Sequence, residues 1–241
     1  MATRWLARAG ALGGLALALA AWTLVGGPGV AAQAPAPIAT TLVATQELSA
    51  VPPGRRWVVR SEHSLNAEHT HAGGFIYALR GGTVLLMEGN EIALQESQGI
   101  WVPEGVPHTH RAEAGSQLWT CTLESEAEFR AAPAVFASNV LRMSAEGPHL
   151  ARLVSDQYQV GAVTAPHRHF GPEAVYVREG TYELNYAGMP QTFSAGQGYT
   201  VEPLTPHRLR NAGQDVARLF NLSLVPLGRQ AAEPLPPEAL R

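Results

Sequence analysis

Three pairs of residues constrain the architecture most. Gly81 and Gly180 stand 99 residues apart, His108 and His207 again 99, and His71 and His169 98. A one-residue change in a loop accounts for the difference, so a unit of about 100 residues is written twice. Each copy is a string of short apolar runs stopped by Gly, Pro and Asn, the mark of strands joined by tight turns. The spacing predicts strands over residues 41–48, 56–61, 75–79, 83–87, 92–94, 100–102 and 118–123, and later over 173–178, 181–186, 199–201 and 218–225. Helical periodicity is scarce, and residues 124–132 fit either a short helix or a linker turn. The expectation is an all-β protein of two similar units, each a barrel or double sheet.

The first 34 residues are set aside from that fold. Arg4 and Arg8 precede an Ala/Leu/Gly-rich run, and Ala32-Gln33-Ala34 offers the small residues that a signal peptidase reads. We expect a secretory signal peptide cut after Ala34, with a periplasmic or secreted mature protein and no integral membrane span. The alternative is an uncleaved anchor, against which the following Gly-Gly-Pro-Gly argues. A formal charge of -3 and a pI near 6.3 give no reason to expect nucleic acid. A single cysteine, Cys121, excludes a disulfide scaffold, and nothing nearby in sequence would activate its thiol.

The chemistry concentrates at His167-Arg168-His169, Glu173 and His207. In an extended strand His167 and His169 share a face, spaced to share one ligand. Three imidazoles and a carboxylate converging from a sheet describe a divalent transition-metal site: Fe, Mn, Zn, Ni or Cu, with Fe or Mn favoured. Glu173 is either a fourth ligand or a base. A reduced copy holds His69, His71 and His108, with His110 on the same strand face as His108, so the chain would bind one metal or two. Glu68 has the wrong parity to be the missing acid there; Glu62 or Glu104 would have to reach in. By the same parity Leu209, Val175 and Val177 face inward with the ligands, while Arg168, Arg208 and Arg178 point away. Phe170, Tyr182 and Tyr186 either stack on a ring or pack the core. Trp101, Trp119 and Phe75 read as core or inter-unit contacts. No Gly-x-Ser-x-Gly occurs, and Gly73-Gly74 and Gly81-Gly82 are turns, not phosphate loops.

These residues carry a family resemblance. Gly161, His167, His169, Glu173 and Gly180 meet every gap of the first cupin motif, and Pro203, His207 and Asn211 resemble the second. There Thr205 stands where Gly belongs, with one residue fewer before the histidine. The first half keeps His69, His71, Gly81, Pro103, Gly105 and His108, but has Gly74 or Phe75 in place of Glu and Ala112 in place of Asn. The resemblance implies two tandem cupin (jelly-roll) barrels, an N-terminal domain over 40–130 and a C-terminal one over 138–226. It implies a metal-dependent enzyme on a small molecule, foremost a dioxygenase-like oxidoreductase. The alternatives are a redox-neutral Mn or Zn hydrolase or isomerase, or a noncatalytic binding protein. Because cupin barrels pair through a hydrophobic sheet face, a monomer and a homodimer are both compatible. The Pro-rich tail from Leu227 is expected to fray.

Overall fold

Four antiparallel sheets hold nearly all the regular structure of this computed structural model. It describes residues 37–62, 65–186 and 188–240, and the expected leader lies outside them. In chain order the first strands are β1 (Ile38–Leu48), β2 (Arg56–Glu62), β3 (Leu65–His69), β4 (Gly74–Arg80) and β5 (Thr83–Met87). They continue as β6 (Asn90–Leu94), β7 (Gly99–Val102), β8 (His108–Ala112) and β9 (Gln117–Glu124). A short helix, α1 (Glu126–Ala131), and β10 (Phe136–Ala137) lead into the second copy. That copy begins with β11 (His149–Tyr158), β12 (His167–His169), β13 (Glu173–Glu179) and β14 (Thr181–Tyr186). It ends with β15 (Met189–Ser194), β16 (Gly198–Val201), β17 (His207–Asn211), β18 (Ala217–Pro226), β19 (Ala232–Pro234) and a 3-10 turn at Pro237–Leu240.

The duplication is visible in the sheet orders. One sheet of the first half runs β10-β2-β9-β4-β7, and its counterpart runs β1-β11-β18-β13-β16. Facing them are β3-β8-β5-β6 and β15-β14-β17-β12-β19. Each sheet is open, so among the described residues the halves are double sheets and not closed barrels. The edges are exchanged. β1 pairs with β11 from Ile38↔Tyr158 to Leu48↔His149, and β10 pairs with β2 of the first half. The amino-terminal strand, expected in the first unit, therefore completes a sheet of the second.

Strand parity builds the packing. On β4, Phe75 and Tyr77 point outward from their own half, while Ile76 and Ala78 point into it. The outward set meets Ala174, Tyr176, Phe220 and Leu222 of the second half, and Trp57 and Trp119 join the same core. Phe220 lies 4.6 Å from Tyr77 and 5.2 Å from Trp119, ring centroid to centroid. Burial on both faces explains why these strands read as unbroken apolar runs. The sheet-to-sheet contact foreseen for Phe75, Trp101 and Trp119 is thus made within one chain. Cys121 sits in this layer, its thiol pushed up to about 12 by burial, and is inert.

Within residues 124–132, Glu126–Ala131 form the helix α1, closed at its start by a capping box between Ser125 and Glu128. The tail corrects the expectation of fraying. β19 pairs with β12 at His167↔Pro234, Arg168↔Glu233 and His169↔Ala232, and Leu240 is buried. Proline is tolerated there because the sheet ends at β19, where no further ladder bond is needed.

Candidate metal centre

His167 and His207 are direct cross-strand partners, with ring centroids 4.3 Å apart. His169 lies 5.0 Å from His167 and 5.2 Å from His207. Each Nδ1 sits 2.9 Å from a backbone carbonyl: Ala165 for His167, Ala231 for His169 and Thr205 for His207. A carbonyl only accepts, so each Nδ1 carries a proton and each Nε2 is the atom turned to the cluster. One such ligand atom from each ring falls within 4.8 Å of the others. Glu173 stands beside this triad, with Oε2 3.2 Å from His169 Nε2, but its carboxylate is not among the atoms that lie within 4.8 Å of one another. That oxygen and the Nε2 atoms of His169 and His207 are buried without a hydrogen-bond partner. Acceptors left so cost about 1–3 kcal/mol each, and a divalent cation would satisfy all of them. The donor set fits a metal.

The charges fit as well. Burial alone would raise the Glu173 carboxyl, but the imidazoles of His169, His207 and His167 hold it down at about 2. His169 is pulled down by burial and raised, on balance, by Glu173. Burial carries His207 down to about 4, leaving it neutral and able to ligate near pH 7.

Sheet register brings in two residues that the sequence reading did not single out for the site. Arg152 pairs with Ser223, which pairs with Glu173, so the three lie in one row on one face. Further along β11 on that face, past Val154, is Asp156. Burial pushes Asp156 up to about 6; a hydrogen bond with Thr40 opposes the shift and the Glu173 charge adds to it. Asn221 donates its amide to Asp156 Oδ2. The alternation in His149–Tyr158 was the available signal, since it puts Arg152, Val154 and Asp156 on one side. A cleft of about 230 Å³ between β14 and β16 reaches His207 and Tyr199. Tyr182 is fully buried and packs on Tyr158, Tyr186 is exposed, and Phe170 lies under Arg229. Arg168 pairs outward with Glu233 at 2.5 Å, Arg208 is exposed, and Arg178 covers Trp119 and Phe220.

In the first half His69, His71 and His108 also converge within 4.8 Å, although His71 falls beyond the end of β3. His110 lies 4.9 Å from both His69 and His108, centroid to centroid. Gly74 pairs with Val102 and Thr122 as Glu173 pairs with Val201 and Ser223, so Gly74, not Phe75, takes the place of the acid. Glu104 is exposed beside Arg55, whereas Glu62 reaches His110, Oε2 to Nδ1 3.5 Å.

Comparison with known proteins agrees with this layout. Residues 156–224 match the family described as Cupin domain. AerE from Microcystis aeruginosa superposes with a TM-score of 0.52 at 13% identity, over 77% of this chain and 99% of that one. Oxalate decarboxylase from Bacillus subtilis superposes at 0.51 with 12% identity, over 83% and 74%. A point mutant of salicylate 1,2-dioxygenase from Pseudoaminobacter salicylatoxidans gives 0.46 and 13% over 71% and 70%. No curated protein matches the chain in sequence. The fold is bicupin-like.

Within the two cupin-like halves, the missing motif glycine has a structural answer. Gly105 adopts φ +73 and its N–H donates to His71 O; Leu204 adopts φ +61 and donates to His169 O. Leu204, not Thr205, therefore holds the left-handed position, where a side chain costs about 1–2 kcal/mol. Leu204→Gly is expected to raise stability by about 0.5–1 kcal/mol after the extra chain entropy of glycine is offset. Urea unfolding checks this; an unchanged or lower midpoint would contradict it.

Acid sensitivity follows from the histidines. Burial lowers His108 to about 4, His110 to about 3 and His207 to about 4 from an ordinary 6.5. Their stabilisation is present above pH 6.5 and is lost as pH falls towards 4, because the unfolded chain takes up protons that the fold refuses. Asp156 works the other way between 3.8 and about 6, since its raised carboxyl binds a proton more readily in the fold. The Tm of metal-free protein should drop over this window, and more steeply in Asp156→Asn. A flat profile would refute the assignment of neutral buried rings.

Among the described residues no helix is long and apolar enough to cross a membrane.

Proposed function

We propose that the chain is a metal-dependent, redox-neutral enzyme for a small carboxylate-bearing molecule, working at the second-half centre. His167, His169, His207 and Glu173 would hold the metal, which when bound supplies a Lewis acid for oxygen ligands. The observation that carries the substrate class is the row Arg152–Ser223–Glu173. It sets a cation that is always charged next to the donor cluster, where it interacts with Glu173, Asp156 and His169. Among the described residues no carboxylate lies within 4.0 Å of the Arg152 guanidinium, so an anion bound at the metal would share it with Glu173 and Asp156. Asp156, poised at about 6, can hold a proton close to neutral pH and pass it to or from that anion.

The same donors would serve the oxygenase reading suggested by the sequence. A protonatable acid, Asp156, and a cation, Arg152, on the face of Glu173 support proton transfer in this reading. The carboxylate donor suits Mn better than an all-nitrogen set would. Export from the cytoplasm, read from Arg4 to Ala34, is part of the proposal, and amino-terminal sequencing of the purified protein tests it.

The decisive assay offers small hydroxy and keto acids to Mn-loaded protein with and without O2. We expect turnover without O2 uptake. Arg152→Met should raise KM about tenfold or more at unchanged metal content, the loss of one charge-assisted contact. Stoichiometric O2 consumption would overturn the redox-neutral reading. Tight acid binding with no turnover would make this a binding protein.

A further inference from the structure

We propose that the first half is a second, nitrogen-rich cation site whose carboxylate comes from Glu62 on β2. The position that Glu173 fills in the other half cannot supply it. A Cβ on Gly74 would lie 2.5 Å from Cys121 O and 2.6 Å from Thr122 Cα, both backbone atoms of the adjoining strand. No side chain fits there without moving β9.

Glu62 is the acid already in reach. Glu62 pairs with Leu118 as Asp156 pairs with Leu219, so the two halves keep an acid at one shared register position. Thr120 Oγ1 donates to Glu62 Oε1 at 3.1 Å, the place where Asn221 serves Asp156. In the second half Leu209 stands where the first half has His110, each two residues after the histidine of its β17 or β8. That exchange gives Glu62 an imidazole to face, and Glu62, His69 and His110 bring ligand atoms within 4.8 Å of one another. His69 is shared with the His69–His71–His108 triad, so the two groups adjoin through one ring. The rings are fixed for it. Nδ1 of His69, His71 and His108 lies 3.1, 2.6 and 2.9 Å from the carbonyls of Ala67, Ala72 and Val106. Their Nε2 atoms and Glu62 Oε2 are buried with no hydrogen bond.

With His110 beside the His69–His71–His108 triad, the first half offers more imidazoles per carboxylate than the second, which suits Zn(II), Ni(II) or Cu(II). The row that holds Arg152 and Glu173 in the second half is here Val58–Thr122–Gly74. That row carries no charge, and Arg60, the next residue of β2 on the same face, is already paired with Glu124 Oε2 at 2.6 Å, so this site lacks the counterpart of Arg152.

The test is a Zn(II) titration of metal-free full-length protein against a chromogenic chelator, with Co(II) absorption as a second readout. Two equivalents are expected per chain. His207→Ala should remove one, and Glu62→Gln should weaken the other by tenfold or more. Glu104→Gln, an exposed control, should change neither. If His207→Ala abolishes all binding, the first half is not a cation site. If both affinities survive Glu62→Gln, its carboxylate is not a ligand, and either result overturns the proposal. Should the His207 variant fail to fold, Glu62→Gln alone still decides, as a loss confined to one of two equivalents. Failure here leaves the second-half assignment standing, because each variant reads one centre.

Discussion

Gly171→Ala is expected to abolish the second-half centre and to leave little folded protein. A Cβ on Gly171 would lie 1.6 Å from Leu224 O and 2.8 Å from Leu224 C, on the central strand β18. Overpacking by a methyl group costs about 1–3 kcal/mol when side chains can shift. Here the opposing atoms are main chain, on a strand paired on both sides, so a cost above about 4 kcal/mol is expected. Any relief must come from the Gly171-Pro172 segment, where Leu224 N donates to Pro172 O at 3.2 Å. That segment joins His169 to Glu173, so its movement separates two of the four donors. Soluble yield, urea midpoint and metal content report the effect together. A variant that unfolds at the wild-type urea concentration with its metal retained would show that the two backbones have room to part.

Removing residues 230–241 should cost the core only the buried Leu240 and cripple the same centre. The deletion takes away β19, the Ala231 carbonyl that orients His169 and the Glu233 partner of Arg168. It also removes the Leu235 N–H donor to Pro166 O at 2.8 Å. The His-x-His strand then keeps only its pairing to β17, and the His169 tautomer loses its anchor. Loss of such a supporting contact lowers metal affinity about 10–100-fold, while the first-half histidines, which have no fifth strand beside them, should be untouched. Chelator competition on the truncated chain measures both affinities. Equal losses at both centres, or none, would deny the tail this role.

The donors themselves were legible because they are close in sequence or repeated at a fixed offset. The convergence of His167, His169 and His207 could be read from spacing and strand parity alone. The duplication likewise announced two similar double sheets. What escaped was whatever depends on which strand lies beside which. Arg152 and Asp156 sit on β11, far along the chain from Glu173, and only register through β18 brings them near. The choice between Glu62 and Glu104 was open for the same reason. The tail misled because proline content signals loops on average, and an outermost strand escapes that rule. Leu204 was passed over since nothing local marks a leucine for a left-handed backbone.

The exchange of β1 and β10 has a consequence for the history and handling of the molecule. Two copies of one motif ordinarily suggest two modules that could be parted. Here, a cut near residues 132–135 would give fragments that each hold the other's missing edge, and β11 would be left as an uncovered template for strand addition. Each half therefore supplies an edge strand of the other, so neither copy is a removable cassette.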